Sequence, residues 1–166
     1  LSGGTLTGNT SSLQGNIVNN GAVVVDQAAT GTYANVISGS GSLTKSGTGN
    51  LTLTGANSYT GTTTVSAGTL TFNPGGSVAG DISNSGTVVF NRSDNYTYLG
   101  VVSGTGQLIH DGLVLRFDQA QTYTGATSVK NGAFLVLTTH ADQGLAASTT
   151  VDVESGGVFD FSNRAL

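Results

Sequence analysis

Apolar residues recur along this chain in short runs, alternating with Thr, Ser or Asn or clustering as valines. Examples are Leu51-Thr52-Leu53, Leu70-Thr71-Phe72, Val23-Val24-Val25 and Val88-Val89-Phe90. Runs of this length, bounded by Gly, Asn and Ser, predict short half-buried strands. Thr and Val suit a pleated surface, while Gly and Asn supply the positive φ of tight corners. No long window carries a 3.6-residue apolar spacing; the nearest candidate, 139–149, has Gly144 inside it. The chain reads as all-β.

The pattern is periodic on two scales. A short unit of Gly, one small or polar residue and an apolar residue that opens a strand appears at Gly4-Thr5-Leu6, Gly21-Ala22-Val23, Gly41-Ser42-Leu43 and Gly68-Thr69-Leu70. It continues at Gly86-Thr87-Val88, Gly106-Gln107-Leu108, Gly132-Ala133-Phe134 and Gly157-Val158-Phe159. A longer shift of 65 carries Gly15 to Gly80, Gly39 to Gly104, Gly41 to Gly106 and Leu43 to Leu108. One residue is lost between Leu43 and Leu51, and a shift of 64 then carries Tyr59 to Tyr123, Gly61 to Gly125, Val65 to Val129 and Gly68 to Gly132. Three short units make one long period. The chain thus reads as a single section, 1–166, with copies over about 15–79 and 80–143. Such self-similarity marks a stacked, quasi-one-dimensional protein.

Strands about every 20 residues fit either a sandwich, with hairpin turns every 8–12 residues, or a right-handed parallel β-helix. Positional recurrence favours the β-helix, because stacked coils keep an inward Leu, a corner Gly and an outward Thr in register. About seven coils at ~4.8 Å give a rod section roughly 35 Å long. The pattern is open at both ends, with nothing resembling a cap, so a fragment of a longer array is expected.

Gly makes up 26 of 166 residues and only 8% are charged, which is unlike a disordered chain of high net charge. The net charge is −4, and the five basic residues (Lys45, Arg92, Arg116, Lys130, Arg164) are scattered. That removes the electrostatic footprint of a nucleic-acid binder. No apolar run is long enough to span a membrane. Cys is absent, which does not favour a disulfide-stapled secreted domain.

The stretch from Gly39 to Phe72 carries Gly39, Gly41, Leu43 and Lys45, then Gly49, Leu51, Leu53 and Gly55, then Asn57, Tyr59, Gly61, Thr63, Val65, Gly68 and Leu70. In that order and spacing it resembles the passenger-associated transport repeat of bacterial autotransporters. A degenerate copy from Gly104 to Phe134 keeps Gly104, Gly106, Leu108, Tyr123, Gly125, Thr127, Val129 and Gly132, and has His110 where the first copy has Lys45. The resemblance implies a right-handed β-helical passenger of a type V secretion system in a Gram-negative bacterium. It also implies a destination at the cell surface or outside, by way of the periplasm and outer membrane, and export through a C-terminal outer-membrane β-barrel of the same parent chain.

Candidate chemistry is sparse. His110 beside Asp111 and His140 near Asp142 have no Gly-x-Ser-x-Gly elbow nearby, and the slot of His110 in the repeat suggests an outward position. Polysaccharide lyases also use β-helices, and Asp111, Arg116 and Asp118 fall within eight residues; solvated rim charges explain them more simply. Gly-Gly-x-Gly-x-Asp calcium coils are missing, and Gly39-x-Gly41 and Gly47-x-Gly49 precede no helix as a phosphate loop requires. The Thr rows near Thr60–Thr64 lack the coil-by-coil regularity of an ice-binding face. Tyr59 and Tyr123, expected at one position three coils apart, read as covers beside corner glycines rather than glycan contacts. Segments 27–35, 91–98 and 138–150, which hold Tyr33, Tyr96 and Tyr98, are the expected loops. The resulting expectation is no enzyme, no cofactor and no metal, but a structural stalk that aids export and surface folding. The alternative is an adhesive or autoaggregating surface for host protein, glycan or itself.

Overall fold

A computed structural model of the chain describes residues 1–137, 145 and 150–160. Its strands, in chain order, begin with β1 (Thr5–Gly8), β2 (Ile17–Val18), β3 (Ala22–Asp26), β4 (Gly31–Tyr33), β5 (Ile37–Ser38) and β6 (Ser42–Ser46). Then come β7 (Asn50–Leu53), β8 (Thr63–Val65), β9 (Thr69–Phe72), β10 (Ile82–Asn84), β11 (Thr87–Phe90) and β12 (Tyr96–Tyr98). The last are β13 (Val102–Ser103), β14 (Gln107–His110), β15 (Val114–Phe117), β16 (Thr127–Val129), β17 (Phe134–Leu137), β18 (Val151–Val153) and β19 (Val158–Asp160). All pairings between them are parallel, and non-consecutive strands are neighbours, as stacking demands. The chain is a parallel β-solenoid of about seven turns, and the described residues include no helix.

Three faces make up each turn. The first carries β1-β3-β6-β8-β10-β13, and the second carries β4-β7-β9-β11-β14-β16-β18. The third carries β2-β5 and later β12-β15-β17-β19, with only the bridge between Ala56 and Ser77 in the gap. Because strand residues alternate in and out, the longer strands of each face send two columns of side chains inward, two residues apart. On the first face Val23, Leu43, Thr63, Ile82 and Val102 stack; on the second, Leu51, Leu70, Val88, Leu108 and Thr127. Phe72 and Phe90 stack inside with ring centres 5.1 Å apart. Outward on the first face stand the hydroxyls of Thr44, Thr64, Ser83 and Ser103.

The register corrects how the two periods were nested. Steps from Leu43 to Thr63, Ile82 and Val102 complete three turns, and six further residues reach Leu108 on the next face. The long period is therefore three turns plus one face. Its second copy is rotated about the axis, so Tyr59 precedes β8 on the first face while Tyr123 precedes β16 on the second. The rotation explains the long steps from Gly41 to Gly68 and from Gly106 to Gly132, where the Gly-x-apolar signature moves to the next face, whereas Gly132 and Gly157 stay on the third face across a longer last turn that pairs Phe134 with Val158.

Two of the expected loops are part of the stack. Segment 27–35 contains β4, paired with β7, and segment 91–98 contains β12, paired with β15. Both strands are only three residues long, β4 between Thr30 and Ala34 and β12 between Asn95 and Leu99, too short for an alternation to show. The third, 138–150, together with His140 and Asp142, lies almost wholly outside the described residues.

Candidate functional site: buried polar corners and a groove on the third face

The apolar repeat residues Leu43, Leu51, Leu53, Val65, Leu70, Leu108 and Val129 all line the core. Gly39 and Gly104 turn corners with φ of 102° and 99°, and a Cβ on either would run into the carbonyl of Asn19 or Asn84 in the turn before. Chain direction and close approach both call for Gly there. Gly41, Gly49, Gly55, Gly61, Gly68, Gly106 and Gly125 also lie against the backbone of the preceding turn, whereas Gly132 sits in an open one.

Between these corners, buried polar side chains repeat the long period bond for bond. Asn19 donates to the Ser42 carbonyl at 2.8 Å and accepts from Gly21 N–H; Asn84 donates to the Gln107 carbonyl at 2.9 Å and accepts from Gly86 N–H. Asn57 accepts from Ile37 N–H and donates to the Gly55 carbonyl, and Gln121 makes the matching bonds to Val102 N–H and the Gln119 carbonyl. The Tyr33 hydroxyl reaches the Gly15 carbonyl, and that of Tyr98 reaches Gly80. Tyr59 and Tyr123 share hydroxyl hydrogen bonds of 2.6 Å with Thr63 and Thr127, respectively. Each bond ties neighbouring turns or closes a corner. They satisfy polar groups that burial would otherwise penalise.

Burial raises the phenol of Tyr123 to about 12 and drives that of Tyr59 higher, with the Thr hydrogen bonds pulling slightly the other way. Both tyrosines are fully enclosed, so they plug the interior and present nothing to a ligand.

Lys45 and His110 overturn the expectation of an outward slot. Lys45 is fully buried and His110 nearly so. The alternation carries the reason: Lys45 is two residues from inward Leu43, and His110 two from inward Leu108. The Lys45 ammonium donates to the carbonyls of Ser46, Gly47 and Ala67 at 2.8, 2.7 and 3.1 Å. Burial lowers its pKa while Asp26 pulls the other way. His110 stacks above Phe90, and its Nδ1 and Nε2 each lie 3.3 Å from a carbonyl, of Phe90 and Leu113. Burial depresses its pKa as well.

A groove of about 370 Å³ opens on the third face where regular pairing lapses, between 56–58, 77–79 and 96–99. Arg92 underlies its wall. Its Nε and Nη2 donate to the Asp94 carboxylate at 3.0 and 2.7 Å, Nη1 donates to the Gly76 carbonyl, and the guanidinium lies 4.2 Å from the Tyr96 ring centre. The Asp94 carboxyl is correspondingly held below its ordinary value. Sequence reasoning missed Asn19, Asn84, Gln121, Arg92 and Leu99. Only the shift of 65 linking Asn19 to Asn84 offered a signal. Among the described residues, no three His, Asp or Glu side chains gather as a metal site would require. Asp111 is exposed at the corner after β14, and Arg116 is exposed on β15.

The passenger-associated-transport-repeat family matches residues 43–72 and 113–137. The first match runs from β6 to β9; the second starts later than Gly104 and runs across β15, the Gln121–Tyr123 corner, β16 and β17. Over 76 residues the chain is 58% identical to the adhesin BmaC autotransporter of Brucella suis biovar 1 (strain 1330), a match covering 46% of this chain and 2% of that protein. The chain therefore spans only a small part of that relative. No solved structure matches. Two stretches of one parallel solenoid thus match the transport repeat of autotransporter passengers, and part of the chain is similar to a segment of an autotransporter adhesin.

Proposed function

We infer that this segment is a structural length of β-helical stalk that aids export and surface folding and holds other parts of the parent away from the cell. As a passenger segment its place is the cell surface or the medium, reached through the periplasm and outer membrane. The observation that carries the reading is the duplicated network of buried side-chain bonds, which fastens each turn to its neighbours without any long-range partner. A stack of this kind folds by adding turns one at a time. Turns completed outside the cell then resist being drawn back. In this reading the parent chain supplies a C-terminal outer-membrane barrel as the export partner.

A second reading, adhesion to a host protein, a glycan or another copy, draws on the name of the similar Brucella adhesin and on the third-face groove. Deleting residues 39–134 from the intact parent separates the two. Surface amount and binding per displayed molecule would both be quantified. The stalk reading expects surface amount to collapse; normal display with lost binding would overturn it.

A further inference from the structure

We propose that the groove on the third face is a binding site for an uncharged carbohydrate. This rests on the adhesive reading, which it narrows to one ligand class, and does not depend on the stalk reading. The groove's volume falls in the range of small-ligand sites. Its lining contains no charged side chain. Tyr96, Ala79 and Leu99 supply an apolar wall, and Leu99 is 66% exposed with no role in the core. Ser58, Ser77 and Thr97 add hydroxyls that, among the described residues, make no hydrogen bond within the chain. A sugar ring has the matching character: C–H faces that pack on aromatic and aliphatic surface, and a rim of hydroxyls that both donate and accept.

The wall is also held ready. Arg92 is buried beneath it, fixed at both ends by Asp94 and Gly76, and its guanidinium lies over the Tyr96 ring. Arg pinned in this way costs a ligand little ordering on binding. An extended peptide fits less well. Adding a strand between turns needs about 4.8 Å of extra separation. The turns on either side of the groove are clamped together by the Tyr98–Gly80 hydrogen bond of 2.8 Å and the Ile82–Val102 pairing. The ligand therefore lies on the face rather than entering the ladder.

The test is binding of the purified chain to immobilised neutral hexose and N-acetylhexosamine oligosaccharides, beside sialylated and uronic-acid oligosaccharides and short peptides. Binding to a neutral class is expected, weakened by at least about tenfold in Ala79→Arg and Tyr96→Ala. Tyr96 also touches Phe90 in the core, so Ala79→Arg, at an exposed position outside every ladder, decides the matter. Absence of neutral-sugar binding, preference for acidic sugars or peptides, or binding unmoved by Ala79→Arg would each overturn the proposal. Surface display of the parent carrying Ala79→Arg stays at the unsubstituted level, which keeps this failure distinct from failure of the stalk reading.

Discussion

Lys45 and His110 occupy the same slot of the repeat, yet they solve its corner differently. In the first copy a long flexible ammonium satisfies three carbonyls from two turns. In the second the corner is one residue shorter between the slot and the next inward Leu, and a compact imidazole lies between two carbonyls. A neutral imidazole has one N–H to donate, whereas the ammonium has three. The core columns and the Asn, Gln and Tyr bonds around these corners are otherwise repeated. The difference isolates what the fold insists on, a buried donor aimed at corner carbonyls, from what it tolerates, the identity of that donor.

The largest effect tests whether the copies carry equal weight in the core. Leu43→Ala and Leu108→Ala each remove a fully buried side chain, and each should cost about 2–5 kcal/mol in denaturant unfolding. A near-zero cost in the second copy alone would break the equivalence. Next come Asn57→Leu and Gln121→Leu, which strand the N–H groups of Ile37 and Val102; about 1–3 kcal/mol is expected for each.

pH then separates the corners. Because the folded pKa of His110 lies below its unfolded value near 6.5, the unfolded chain binds the extra proton, and stability falls as pH drops below that value. His110→Lys should flatten this slope, while Lys45→His should steepen it. At the alkaline end the sign reverses: Tyr123 ionises at about 12 when folded and near 10 when unfolded, so stability declines between those values. Its ultraviolet titration should lag that of the unfolded chain accordingly. The smallest effect belongs to the outer surface, where Thr64→Val should stay within about 0.5 kcal/mol.

Much of this was legible in the residues. Alternation, corner glycines and the 65-residue shift define a stacked parallel solenoid, and the transport-repeat motif is the stretch that the family match picks out. The rotation of the second copy was hidden because sequence similarity reports local corners, whereas faces are counted by turn length. Lys45 and His110 were misplaced because charge outweighed phase; their even spacing from Leu43 and Leu108 already pointed inward. Arg92 and Leu99 had no periodic signal, since the groove they frame arises where the period lapses.

Whether stable stacking is what this segment contributes to export can be read from unfolding stability and surface display measured together in one variant series. That series would comprise Leu43→Ala, Leu108→Ala, Asn57→Leu, Gln121→Leu and Thr64→Val. Surface amount should fall in proportion to lost stability, whichever copy is altered, and Thr64→Val should display normally. Full display of variants that have lost several kcal/mol, or loss of display from the outward substitution alone, would contradict it.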